Sequence, residues 1–221
     1  MKVGRAGETA AAILAGGRGR RLGGATKALL EIEGGGRIVD RQLAVLRPLF
    51  GAIAIVAADE APFRGLPCPA DAGGASVDVI RDRQGPGLGP LAGLDAVLTW
   101  LPASCRSIVC VAGDMPFLAG AVMERLRDAG PDDAAAVVPR LAGGPEPLCA
   151  RYDRRVAAIA TAQLAAGQRA MHAFLDRLDR DTGAVVWLDE ADLRRVDPQL
   201  ETFININTHE DLRDLERRRP G

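Results

Sequence analysis

A three-layer α/β domain with a mostly parallel sheet is the fold class this chain predicts, and three observations predict it. Short runs rich in Val, Ile and Ala alternate along 221 residues with longer segments whose leucines recur every three or four positions. The short runs are continuously apolar, as strands covered on both faces are. The first of them opens directly into a loop with five glycines in residues 16–24, as a nucleotide-binding sheet does at the end of a strand.

Taken in order, the strand candidates are residues 10–14, 52–57, 77–80, 107–112, 134–138 and 184–188. Helices are expected between them. Residues 38–49 put Ile38, Leu43, Leu46 and Leu49 on one face, and residues 90–101 open on Pro90 and repeat Leu91, Leu94, Leu98 and Leu101. Residues 119–129 offer Val122, Met123, Leu126 and Ala129, and residues 154–166 and 171–178 form two more helices separated by Gly167. A last helix is announced by Thr208 as N-cap with Asp211 three residues on. None of the Gly-rich breaks is long enough to separate domains, so residues 1–221 read as one domain.

Bulk properties exclude several function classes. The formal net charge is −1, which gives no footprint for general nucleic-acid or membrane-surface binding. No apolar run approaches the ~20 residues that span a bilayer. The polar start at residues 1–9 and four scattered cysteines, without a C-x-x-C pair, lead us to expect a cytoplasmic protein with reduced thiols. With only His172 and His209 present, a multi-histidine metal site is excluded.

The chemistry concentrates in the loop after the first strand, Leu14-Ala15-Gly16-Gly17-Arg18-Gly19-Arg20-Arg21-Leu22-Gly23-Gly24-Ala25-Thr26-Lys27. Glycines let backbone N–H groups turn toward a ligand, and Arg20, Arg21 and Lys27 add positive charge, which together suit a polyphosphate. Of 28 basic residues only Lys2 and Lys27 are lysines. A lysine kept here indicates a place for a compact ammonium in preference to a flat guanidinium. The loop fails the Walker A pattern, because Thr26 precedes Lys27, and fails the G-x-G-x-x-G/A fingerprint, because Leu22 closes it. Gly87-Leu88-Gly89-Pro90-Leu91-Ala92 matches that fingerprint but stands apart from its strand.

Chemistry on a nucleoside triphosphate calls for a metal, and Mg²⁺ is the expected cofactor. Asp114, in Ala112-Gly113-Asp114-Met115-Pro116, lies just past a buried-looking strand and is the first candidate ligand; the alternative is a capping or turn aspartate. Asp82, after the third strand, is the second candidate, with a plain turn aspartate as its alternative. Asn205 and Asn207 alternate with Ile204 and Ile206, so an extended segment would point both amides to one side, near the metal; local capping is the competing explanation.

In series these pieces resemble the nucleotidyltransferases that make activated sugars and cofactors, and most closely the molybdenum cofactor guanylyltransferases. That family's loop, LAGG-x-x-x-RMGG-x-x-K, stands here as Leu14-Ala15-Gly16-Gly17, Arg21-Leu22-Gly23-Gly24 and Lys27. Gly89-Pro90-Leu91-Ala92-Gly93, Asp114-Met115-Pro116-Phe117-Leu118, Pro147-Leu148 with Tyr152, and Phe203-Ile204-Asn205-Ile206-Asn207-Thr208 follow in family order across nearly the whole chain. The resemblance implies a Rossmann-like nucleotide-diphospho-sugar transferase fold, with GTP and Mg²⁺ bound and molybdopterin as second substrate. It further implies that Leu14, Ala15, Gly16 and Gly17 meet the nucleotide, that Arg21 and Lys27 hold phosphates, and that Asp82 binds nucleotide. Asp114 would bind the metal, and Arg169 in Gly167-Gln168-Arg169 would face the phosphate of the second substrate. It also implies transient contact with enzymes of cofactor synthesis or with client enzymes.

Four positions depart from the family pattern. Leu22 replaces a methionine, Gly113 stands where a cysteine is common, His209 replaces a proline, and Ala57-Ala58 offers no asparagine at the end of the second strand. The reaction implied is attack by the terminal phosphate of molybdopterin on the α-phosphorus of GTP, with release of pyrophosphate. Two alternatives remain. One is cytidylyl transfer or transfer to another small phosphate, which a comparison of GTP with CTP separates. The other is a nucleotide-binding cofactor chaperone, which would release no pyrophosphate.

Overall fold

Strand β1 (Thr9–Leu14) lies in the middle of an eight-stranded sheet, and its two neighbours belong to different stretches of the chain. The protein is seen here as a computed structural model that describes residues 8–16, 26–32, 36–66, 75–81, 89–208 and 210–211. After β1 come α1 (Ile38–Leu46), β2 (Ala52–Ala57), β3 (Ser76–Arg81), α2 (Pro90–Trp100), β4 (Ser107–Ala112) and α3 (Gly120–Asp128). The second half adds β5 (Ala136–Leu141), β6 (Gly144–Pro145), β7 (Cys149–Asp153), α4 (Ala157–Ala165), α5 (Met171–Thr182), β8 (Val185–Asp189) and α6 (Glu190–Leu193).

The sheet runs β3-β2-β1-β4-β7-β5-β6, with β8 paired to β5. The first four of these strands are mutually parallel, and β5 pairs in parallel with β8. Strand β7 is antiparallel to both β4 and β5, and β5–β6 is a hairpin. The chain therefore steps outward from β1 through β2 to β3, then crosses back to β4 on the other side of β1. Between β1 and β4 the direction of travel reverses, and at such a switch point a crevice opens beyond the carboxyl ends of the strands.

Alternation along the strands builds two cores. Ala10 and Ala12 face the layer of α2, α4 and α5, while Ala11 and Ile13 face the layer of α1, α3 and α6. Both faces of β4 are buried from Ser107 to Ala112. The three-layer expectation holds. Among the described residues, no helix is long and apolar enough to cross a membrane.

Four element boundaries are corrected. The first helix stops at Leu46 and gives way to a turn before residue 49; the expected helix at 154–166 begins as a 3-10 turn, Arg154–Val156, before α4; and α5 continues past 178 to Thr182. The strand expected at 134–138 occupies Ala136–Leu141. Strands β6 and β7 and helix α6 were not expected. In β7 the charged Arg151 and Asp153 hide the pattern, yet both are buried. Arg151 donates to the carbonyls of Arg127 and Ala129, and Asp153 accepts from Arg106, so buried charge is met by partners on neighbouring elements.

Candidate active site

Lys27 opens a 3-10 turn, Lys27–Leu29, in the segment between β1 and α1. Its neighbour Ala28 is buried, and it packs where a side chain on Gly113 would otherwise sit. A Cβ added to Gly113 would come within 3.0 Å of the Ala15 Cα, 3.1 Å of the Leu14 carbonyl oxygen and 3.2 Å of the Ala28 Cβ. The missing side chain thus lets the ends of β1 and β4 and the Lys27 turn close on one another. Gly113 N donates to Leu14 O at 3.0 Å across that contact. The departure at Gly113 from the cysteine common in the resembled family has this steric reason.

Asp114 follows at the tip of a turn closed by Met115 N donating to Ala112 O at 3.3 Å. The Lys27 ammonium donates to Asp114 Oδ2 at 2.8 Å and to Asn207 Oδ1 at 2.6 Å. Three residues separated by 87 and 180 positions along the chain meet at one point, beyond the carboxyl ends of adjacent strands β1 and β4. The Lys27 and Asp114 side chains are 18% and 19% exposed, so the pair is shielded but reachable from solvent.

Asn207 is delivered by the segment after a 3-10 turn, Glu201–Phe203. Ile206 is fully buried with Ile32 and Ile38, against Leu30 and Phe117, and its N–H donates to the Asp114 carbonyl at 2.9 Å. Anchoring Ile206 turns Asn207 outward to the lysine. Beyond it Thr208 and Asp211 form the expected capping box: Asp211 N donates to Thr208 Oγ1 at 3.0 Å, and Thr208 N donates to Asp211 Oδ2 at 2.8 Å. Asn207 N also donates to Asp211 Oδ2, and these backbone bonds hold the Asp211 carboxyl below its ordinary value.

Asn205 does not join the cluster. Its amide nitrogen donates to Phe203 O at 3.3 Å, and among the described residues no hydrogen bond ties it to Lys27 or Asp114. The segment is not regular strand, so the alternation that put both amides on one side fails, and the local-turn alternative holds for Asn205.

Leu14, Ala15 and Gly16 end β1 at the same mouth; Ala15 N donates to Val56 O at 2.8 Å. Arg169 is exposed and lies elsewhere on the rim. Gly89, at φ +85°, precedes Pro90 at the start of α2, and a Cβ on it would meet the Arg169 carbonyl oxygen at 3.7 Å and the Arg169 Cβ at 3.9 Å. Arg169 is therefore beside the amino end of a helix that itself starts at the carboxyl end of the sheet. Of the expected site residues, Gly17, Arg21 and Asp82 lie outside the described residues.

The donor set fits a hard cation. Asp114 Oδ2 and Asn207 Oδ1 are carboxylate and amide oxygens that already converge on one positive centre, the Lys27 ammonium, which stands in for such an ion. No group of three or more His, Cys, Asp and Glu is arranged for a metal among the described residues, so a cation here would keep water or substrate oxygens in its remaining positions. Cys105, Cys110 and Cys149 are buried, and burial pushes the Cys110 and Cys149 thiols up, which leaves both without thiolate character.

Sequence reasoning missed Gln42. This fully buried α1 side chain donates from Nε2 to Ala112 O at 2.7 Å and to Met115 O at 2.9 Å, on either side of Asp114. Its spacing, four residues after Ile38 and four before Leu46, was the signal available: a polar residue in the middle of the apolar face.

Known proteins resemble this chain in sequence and in fold. The MobA-like NTP transferase domain matches residues 11–182. A molybdenum cofactor guanylyltransferase of Desulfosudis oleivorans is 32% identical over 92% of this chain and 92% of its own, and one of Cereibacter sphaeroides is 36% identical over 90% and 91%. The crystal structure of molybdopterin-guanine dinucleotide biosynthesis protein A from Archaeoglobus fulgidus superposes with a TM-score of 0.74 at 30% identity, covering 94% of this chain and 97% of that one.

Proposed function

The chain belongs to the family of molybdenum cofactor guanylyltransferases, with the MobA-like NTP transferase fold, and from that premise we propose that it transfers GMP from GTP to the terminal phosphate of molybdopterin. The observation that carries this reading is the meeting of Lys27, Asp114 and Asn207 at the β1/β4 switch point. A phosphate oxygen of molybdopterin attacks the α-phosphorus of GTP; the new P–O bond forms as the bond to pyrophosphate breaks. No nucleophile is required from the protein. Its task is to hold two anions in line and to neutralise the charge that grows on the phosphoryl oxygens and the leaving group.

The described site residues other than Asn205 each have a part in that task. Backbone groups of Leu14, Ala15 and Gly16 line the nucleotide side of the mouth, and Gly17, Arg21 and Asp82 are assigned to the nucleotide from the sequence alone. Asp114, joined by Asn207, would hold Mg²⁺, which would supply Lewis-acid polarisation of the phosphoryl oxygens. A divalent ion and an ammonium on the same pair of oxygens would repel one another. With a cation on Asp114 and Asn207, the Lys27 ammonium would be free to pair with phosphate. Arg169, beside the start of α2, meets the phosphate of the acceptor. Asn205 has no place in this scheme.

Free, buried Cys110 and Cys149 suit the reducing cytoplasm, where we place the activity. Since the product is itself a cofactor, transient contact with synthesis or client enzymes follows from its use. The test is incubation with molybdopterin, Mg²⁺ and either GTP or CTP, followed by mass measurement of the product. The reading expects the guanine dinucleotide and pyrophosphate with GTP. A cytosine dinucleotide would move the assignment to cytidylyl transfer, and binding without pyrophosphate release would favour a cofactor chaperone.

A further inference from the structure

The turn that carries Asp114 is short and only half-buried at its tip, yet it must hold a carboxylate at a fixed point. Its backbone is tied from three directions. Gly113 N reaches Leu14 O on β1, Ile206 N reaches Asp114 O from the C-terminal segment, and Gln42 reaches Ala112 O and Met115 O from α1. The last tie has an unusual form. Gln42 is fully buried, both bonds come from its single Nε2, and its Oε1 has no hydrogen-bond partner among the described residues.

An unpartnered buried acceptor costs on the order of 1–3 kcal/mol. An apolar residue on this face of α1 would avoid that cost, so the side chain is explained by what its nitrogen does. A primary amide is the neutral group that offers two N–H donors from one atom. Asparagine has the same amide on a chain shorter by one methylene. Glutamate would set a carboxylate against two carbonyl oxygens. The two carbonyls Gln42 bridges belong to the residue two before Asp114 and the residue one after it, so its amide sets the span of the turn.

We propose that Gln42 is a positioning residue for nucleotidyl transfer: by bridging the carbonyls of Ala112 and Met115, it fixes the Asp114 carboxylate where cation and triphosphate meet. It touches neither substrate. The proposal rests on the functional reading above, and its test is chosen so that the two can fail separately.

The variant is Gln42→Met, which keeps length and approximate volume and removes both donors. Leu178→Ala, in α5 on the opposite layer, serves as a control that lowers stability without touching the turn. Amide hydrogen exchange of residues 113–115 in the full chain, with no ligand present, reads the clamp directly. Gln42→Met should raise that exchange roughly 10-fold or more, while Leu178→Ala at matched stability should not. With Mn²⁺ and GTP as probes, paramagnetic resonance should show half-saturation rising about 10-fold in Gln42→Met, and kcat falling by a similar factor at unchanged KM for molybdopterin. Gln42→Glu should be worse than Gln42→Met, although its shape is closer to the native residue. Unchanged exchange in the turn, or Mn²⁺ half-saturation and kcat equal to those of Leu178→Ala, would overturn the proposal. If wild-type protein forms no dinucleotide, the functional reading fails, and the exchange result still decides whether Gln42 clamps the turn.

Discussion

Strand β4 has cations at both of its ends, and they are held in opposite ways. Near its start, Arg154 donates from one Nη2 to the carbonyl oxygens of Leu101, Pro102 and Cys105, and Arg106 pairs with buried Asp153. Past its end, Lys27 donates to two side-chain oxygens of Asp114 and Asn207. Main-chain carbonyls are fixed and neutral, so Arg154 closes a chain crossing and has nothing to exchange. A carboxylate and an amide can accept a different cation, so Lys27 sits in a place it can vacate. A hollow of about 530 Å³ lies at the Arg154 end, lined among others by Arg106, Asp153 and Arg155, where both guanidiniums pair with the one buried carboxylate. The difference teaches that charge in a cleft indicates function only when its partners are exchangeable.

The sharpest way to break this comparison is to remove the exchangeable partner. Asp114→Ala should lower kcat by about 10³-fold or more, with the melting temperature little changed, because it deletes the proposed metal ligand and keeps the β1–β4 pairing. Near-normal turnover in steady-state pyrophosphate release would show that the carboxylate is only a turn residue. Next comes Lys27→Arg, which keeps charge and changes shape. A planar guanidinium cannot fill a point 2.8 Å and 2.6 Å from two oxygens as an ammonium does, so kcat should fall roughly 10²-fold. Full activity would mean that the geometry of the cation is irrelevant.

The other end should respond in the reverse sense. Arg154→Met removes the donor for three carbonyls and should destabilise the fold by about 2–3 kcal/mol in urea unfolding, with kcat unchanged at temperatures where the variant is folded. A large loss of kcat there would erase the distinction between the two ends. The smallest effect concerns acid. The Asp211 carboxyl is held below its ordinary value by the backbone N–H groups of Asn207 and Thr208. The stability it contributes is present above the unfolded value, about 3.9 for an aspartate, and is lost as pH falls through the lower folded value. Asp211→Asn should therefore flatten the fall of melting temperature below about pH 4, and an unchanged acid limb would remove this cap from the account.

How much of this could be read beforehand differs between the same two regions. The meeting point was legible: a rare lysine after β1 and an aspartate beyond β4 stood out by residue type, and the structure brings the two together. Asn207 was legible through its neighbour, since buried Ile206 forces it outward; the same logic failed for Asn205, whose amide finds Phe203 O instead. The Arg154 end was not legible. Cys149–Asp153 carries two charges in five residues, and nothing local reveals that Arg127, Ala129 and Arg106 will satisfy them from other elements. Gln42 hid for a related reason: the carbonyls it serves lie 70 and 73 positions away. The steric need for Gly113 was likewise invisible until Ala28 was seen against it.

The central claim is that Lys27 trades Asp114 and Asn207 for phosphate when the site is loaded, and the chain offers a direct probe because it has only two lysines. Nuclear magnetic resonance of ¹⁵Nζ-labelled lysine, with Lys2→Arg to leave one signal, would follow the Lys27 ammonium itself. The account predicts that Mg²⁺ with a non-reacting GTP analogue shifts this signal and couples it to phosphorus, and that Mg²⁺ with guanosine does not. A Lys27 resonance that stays unchanged under saturating Mg²⁺ and analogue would leave the ammonium on its two oxygens and contradict the account.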